Sequence, residues 1–115
     1  FTYVTDVVDA FLKCSKSKIS NEIFNIGSGK TISVNKITSL IKGKKVFIKK
    51  RPGEPNCTFA DISKIKKYIG WAPKINIEKG VDMLLNDIEY WRKAPLWTPK
   101  KINKATKLWF KHLKK

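Results

Sequence analysis

Apolar residues recur at helical spacing along much of the chain and gather in two short runs, and this alternation lays out the expected elements. Val7, Val8, Phe11 and Leu12 share a face from Asp6 to about Ser15. Asp6 is placed to cap that helix, and Asp9 lies in its first turn, where the helix dipole favours an acid. Asn21 to Ile26 (NEIFNI) is a short apolar run that ends in Gly27-Ser28-Gly29 and predicts a buried strand followed by a tight turn. Ser33 caps a second helix with an apolar stripe of Val34, Ile37, Leu40 and Ile41, ended by Gly43. Lys45 to Lys49 (KVFIK) predicts a second strand. A strand, a helix and a strand in this order predict a βαβ unit with a right-handed crossover.

Arg51-Pro52-Gly53-Glu54-Pro55 cannot continue a strand and must form a shaped loop. Asp61 caps a short helix to Ile69, closed by Gly70, and Trp71-Ala72-Pro73 leads out of it. Ile77, Val81, Leu84, Leu85, Ile88 and Trp91 then mark a longer helix from about Ile77 to Lys93. Pro95 and Pro99 bracket a break. Ile102 to Leu113 makes a last amphipathic helix, with Ala105 and Trp109 expected inward. The expected class is therefore α/β, with about two short strands and five helices.

Composition narrows the possible functions. The chain has 115 residues, 42% of them hydrophobic, which is one domain's worth of chain and apolar enough to fold. No apolar run approaches the roughly 18 residues of a membrane-spanning helix. Cys14 and Cys57 lie far apart and His112 is alone, which argues against a metal cluster and a disulfide scaffold and suits a reducing, cytoplasmic setting. The sequence opens on Phe1 inside a patterned segment, as expected of a chain entered part-way along.

The formal net charge is +16, from 25 Lys and Arg against 9 Asp and Glu. All the acids lie at or before Glu89, so residues 90–115 carry only basic charge. Of the basic residues only Arg51 and Arg92 are arginine. Base readout and tight phosphate forks favour the planar guanidinium, so this lysine excess points away from nucleic acid and draws attention to the two arginines. In the tail, Trp91, Trp97, Trp109 and Phe110 interleave with lysines. That pattern suits RNA or an anionic membrane if the rings face out, and a solvated lysine face if they pack inward.

Gly29-Lys30-Thr31 after an apolar run suggests a phosphate loop, but Phe24 stands where that loop needs its first glycine. Ile32 occupies the third small position of the dinucleotide fingerprint, and no Tyr is followed four residues later by Lys. No catalytic set is complete. Arg51 is different, because it follows an expected strand and enters a proline-stiffened loop, and ligands in α/β folds bind beyond the carboxyl ends of strands. Its guanidinium can clamp a diphosphate, and Glu54 can accept from ribose hydroxyls. Alternatively, Arg51 and Glu54 pair with each other or with solvent in a polar turn.

Four segments together resemble the C-terminal part of the extended short-chain dehydrogenase/reductase family, the NAD-dependent nucleotide-sugar epimerases and dehydratases, and most of all UDP-glucose 4-epimerases. They are Phe1 to Ala10, Phe24-Asn25-Ile26-Gly27-Ser28-Gly29, Arg51-Pro52-Gly53-Glu54 followed by Ala60-Asp61-Ile62-Ser63-Lys64, and Gly70-Trp71-Ala72-Pro73. The resemblance implies a Rossmann-type enzyme whose substrate-binding region is residues 1–93, with residues 94–115 a basic amphipathic helical extension. It implies that Arg51 contacts the diphosphate of a nucleoside-diphosphate sugar and Glu54 a ribose hydroxyl. It also implies that NAD is bound upstream and that the full enzyme is a homodimer. A 4,6-dehydratase or decarboxylase outcome is the near alternative. The glycine-rich NAD motif and the Tyr-x-x-x-Lys pair are absent, so these residues alone are expected to be inactive. A basic module that binds RNA or anionic membrane is the alternative of another class.

Overall fold

Helix formation follows the apolar stripes closely, whereas both expected strands fail to form. A computed structural model describes residues 1–48 and 50–113. Its elements are α1 (Val4–Lys16), α2 (Val34–Ile41), α3 (Ser63–Ile69), α4 (Ile77–Asn86), α5 (Ile88–Trp91) and α6 (Pro99–Leu113). Ser33 caps α2 as expected, its Oγ accepting from the Lys36 N–H at 3.1 Å. That helix ends on Lys42 in the left-handed region at φ 59°, one residue before the expected glycine stop. The Asp61 carboxylate accepts the Ser63 N–H at 2.9 Å at the start of α3, and Gly70 closes it at φ +66°. The expected helix from Ile77 to Lys93 is interrupted at Asp87, giving six helices where the pattern predicts five. Asn86 and Asp87 lie at the interruption, and such side chains compete for local backbone hydrogen bonds.

Among the described residues there is no strand, which corrects the two-strand expectation and the βαβ unit with it. Asn21–Ile26 keeps the alternation of a strand, with Ile23 and Asn25 exposed and Phe24 and Ile26 half-buried against the core. A strand is defined by a ladder to a neighbour, and among the described residues this run makes no backbone–backbone hydrogen bond to another segment, although the Ala60–Asp61 stretch lies close to it. Val46, Phe47 and Ile48 are exposed in irregular backbone, and Lys49, the end of the second expected strand, lies outside the described residues.

The core is small and sits where α1, α3 and the Trp71 segment meet. Ala10, Ile65 and Trp71 are fully buried with Ile62, and Cys14, Phe24, Ile26, Ala60 and Ile69 pack around them. Trp71 fills the centre. Asp6 does not cap α1, which begins two residues earlier behind Tyr3. Its side chain is 3% exposed, and its two carboxylate oxygens accept the N–H groups of Lys74 and Ile75 at 3.1 and 3.0 Å. That carboxylate joins the start of α1 to the segment that leads into α4. Asp9 adds weaker ionic contacts to Lys13 and Lys74 at 3.9 and 3.7 Å. On the other side α2 packs on α4, bridged by Lys36 and Glu78 at 3.2 Å.

The glycine turn also belongs to the packing. A Cβ on Gly27 would lie 2.5 Å from the Ala60 Cβ, and one on Gly29 would lie 2.8 Å from the Ile62 Cδ1. Both positions are close approaches of the chain to itself. The Cα radius of gyration is 17.7 Å, against about 13 Å for a compact domain of this length. Large apolar side chains stay correspondingly open, among them Ile23 at 86% and Phe47 at 84% exposure.

Candidate functional site

Arg51 follows Lys50 in irregular backbone, and Pro52 and Gly53 turn the chain sharply behind it. Gly53 takes φ +76°, which a side-chain-bearing residue rarely adopts. The turn brings Glu54 back onto Arg51. The guanidinium Nη2 donates to the Glu54 Oε1, the Arg51 N–H donates to Oε2 at 3.4 Å, and the Glu54 N–H donates to the Arg51 carbonyl at 3.5 Å. The structure therefore joins the two candidate residues to each other. The guanidinium hydrogen bond is the main cause that holds the Glu54 carboxyl below its ordinary value of 4.5, against a smaller opposing effect of burial. Glu54 is accordingly an ionised acceptor at neutral pH.

Glu54 does not satisfy the whole guanidinium. The Arg51 Nε is buried and has no hydrogen-bond partner, an arrangement that is costly unless something accepts from it. Arg51 also lines a cavity of about 820 Å³. The cavity has an apolar base in Phe47, Ile48, Pro52 and Phe110, and cations in Lys50, Arg51, Lys107 and Lys111. Among the described residues its lining contains no carboxylate. Lys50 is steadied by donating to the Asn56 Oδ1 at 2.7 Å. Such a site suits a ligand with a flat apolar part and an anionic part.

The far wall is α6, the helix of the basic extension 94–115. Thr98 opens it, its Oγ1 accepting the Lys101 N–H at 3.3 Å, and Pro99 takes the first helical position, where a missing N–H costs nothing. The face turned towards the loop carries Ile102, Thr106 and Phe110, all half-buried. Ala105 is exposed and Trp109 is 51% exposed, so the expectation that these two point inward is corrected. Trp97 and Trp91 are likewise half or more exposed. The apolar stripe is rotated because the helix meets one loop and not a broad core. Lys107 and Lys111 were missed as site residues, although their i, i+4 spacing beside an apolar stripe was the available signal.

A second cavity, of about 940 Å³, lies between the start of α1, α2 and α4 and includes Tyr3, Lys30, Lys36 and Glu78. Lys30 and Thr31 reach its rim. Lys36 is already paired with Glu78 there, and the glycines beside Lys30 are filled by Ala60 and Ile62. These residues do not fit an NAD cradle, since the close approaches a pyrophosphate would use are occupied by side chains of the chain itself. Among the described residues no group of three or more His, Cys, Asp and Glu is placed to hold a metal. No helix among them is long and apolar enough to cross a membrane.

Comparison with known proteins gives a consistent likeness. The chain is 34% identical over 93 residues to a UDP-glucuronate 4-epimerase of Thermodesulfobacterium geofontis, an alignment spanning 75% of this chain and 28% of the relative. It is 37% identical over 97 residues to an uncharacterized UDP-glucose epimerase of Bacillus subtilis, spanning 78% and 30%. It is 29% identical over 99 residues to UDP-glucuronic acid decarboxylase 1 of Xenopus tropicalis, spanning 81% and 23%. The chain thus spans less than a third of the length of these relatives. No family model matches the chain, and no solved structure matches it.

Proposed function

We propose a function from one premise, that this chain matches a C-terminal part of a nucleotide-sugar enzyme of the short-chain dehydrogenase/reductase family. On this reading residues 1–93 are the substrate-binding region of an NAD-dependent sugar 4-epimerase, and the ligand is a nucleoside-diphosphate sugar. The observation that carries it is the buried, unpartnered Nε of Arg51 at a cavity lined by cations and, among the described residues, by no carboxylate. Arg51 offers the rest of its guanidinium to a diphosphate oxygen while Glu54 engages Nη2 and steadies the group. The ionised Glu54 carboxylate, beside Arg51 and outside the cavity lining, accepts a ribose hydroxyl at the edge of the site. The rings of Phe47 and Phe110 supply apolar surface for a base.

NAD, in this proposal, is held outside the present residues, and the whole enzyme is a homodimer. The epimerase relatives support an epimerase outcome, and the decarboxylase relative equally supports the alternative of a dehydratase or decarboxylase. The contribution of this chain is the same in each case, namely to bind and orient the nucleotide.

Calorimetry of UDP binding to the full-length protein tests the reading. A charge-assisted hydrogen bond contributes about 1.5–3 kcal/mol, so Arg51→Ala should weaken binding about tenfold or more. Unchanged affinity would sink the assignment. A second reading rests on the exposure of Trp97 at 68% and Trp109 at 51% amid the tail lysines. It makes this surface a basic module for RNA or anionic membrane, whose binding would fall steeply with salt and survive Arg51→Ala.

A further inference from the structure

We infer that α6 is part of the ligand site, with Lys107 and Lys111 closing over the diphosphate that Arg51 receives. The inference rests on the nucleoside-diphosphate reading of the Arg51 cavity and assigns two further binding residues to it. Two observations about α6 support it.

The first is how the helix is seated. The Leu113 Cδ1 lies 3.2 Å from where a Cβ on Gly53 would be, so the end of α6 rests directly on the turn that shapes the Arg51 loop. Ile102 and Phe110 face the same cavity as Ile48 and Pro52. A glycine at position 53 therefore serves two needs, its positive φ and the room for Leu113.

The second is which lysines the seating selects. Asn103, Lys107 and Lys111 recur every four residues in a row beside the apolar stripe, and all three line the cavity, whereas Lys100 and Lys104 do not. With Lys50 and Arg51, three ammonium groups and one guanidinium surround a single apolar hollow. Glu54, on the same loop, is engaged by Arg51, and residues 90–115 contain no acid. Like charges drawn together around a low-dielectric wall repel one another, and an anion of two or more charges placed between them offsets that repulsion. A diphosphate has that charge, and the apolar base of the cavity accepts the rest of a nucleotide.

The test compares two double variants of the full-length protein that remove equal charge from α6. Lys107→Gln with Lys111→Gln should weaken UDP binding about tenfold and flatten its salt dependence, while affinity for uridine, which has no phosphate, stays the same. Lys100→Gln with Lys104→Gln should bind UDP as the unmodified protein does. Unaltered UDP affinity in the first variant, alongside a loss in Arg51→Ala, overturns the inference and leaves the Arg51 site standing. An equal loss in both double variants overturns it as a general charge effect. A parallel loss for uridine overturns it by showing that α6 only shapes the cavity. Retained UDP binding in Arg51→Ala removes the site reading itself.

Discussion

The Trp71 core and the Arg51 cavity are built by opposite means from neighbouring stretches of the same chain. Around Trp71 the side chains are dry, and the polar link through Asp6 joins positions 68 and 69 residues apart. Around Arg51 the hydrogen bonds are local, i to i+3 or i+6, and one wall is a helix resting on a turn. The first arrangement resists opening because apolar burial and satisfied backbone groups are lost together. The second gathers cations around an open hollow, and their mutual repulsion is a cost that an anionic ligand can offset. Stability should therefore reside in one region and recognition in the other.

The sharpest way to break this comparison is Trp71→Ala. Emptying a fully buried indole should cost about 3–5 kcal/mol in urea denaturation, and a loss under 1 kcal/mol would show that the core is not where the fold is held. Asp6→Ala should come next, at about 2 kcal/mol, because the Lys74 and Ile75 amides lose their acceptors, with Asp6→Asn recovering part of the loss. Gly27→Ala should cost about 1–2 kcal/mol by overpacking Ala60, and Ala60→Gly in the same chain should restore most of it. If the two substitutions add independently, the close approach does not govern that turn. None of these three should alter the UDP affinity of the folded protein, just as Arg51→Ala should leave the urea midpoint in place.

The smallest effect is electrostatic. A carboxyl whose folded value is depressed contributes stability above its unfolded value and loses it as pH falls through the folded one. The Glu54 contribution should therefore be intact above pH 4.5 and disappear below it. A carboxyl titration followed by NMR should place Glu54 below 4.5 and move it back towards the ordinary value in Arg51→Ala, where the residue 51 amide and Lys50 still act on it. An unmoved midpoint would mean that the pair does not form in solution. Glu54 is one third exposed, so solvent screening keeps the stability effect small.

Much of this molecule is legible from its sequence wherever the physics is local. The Ser33 cap, the Gly70 stop and the amphipathic stripes of α2 and α4 depend on residues within a turn or two of one another. The loop at Arg51 is legible for the same reason, since Pro52 and Gly53 restrict the backbone whatever surrounds them. Asp6 is the instructive exception. By position it suits a cap, but its oxygens are taken by amides nearly seventy residues away, and no local pattern records that. The strands fail on similar grounds, because the alternation at Ile23 to Ile26 states which side chains turn inward and not which backbone lies alongside.

The sequence by itself determined the helices, the shaped loop and the chemistry that Arg51 and Glu54 could perform, because propensity, capping and side-chain charge act over a few residues. Only the tertiary structure decided that the glycine turn is filled by Ala60 and Ile62, and that Lys107 and Lys111 stand across a cavity from a loop more than fifty residues earlier. Those outcomes depend on which distant surfaces exclude water from each other, and that is a property of the packed chain.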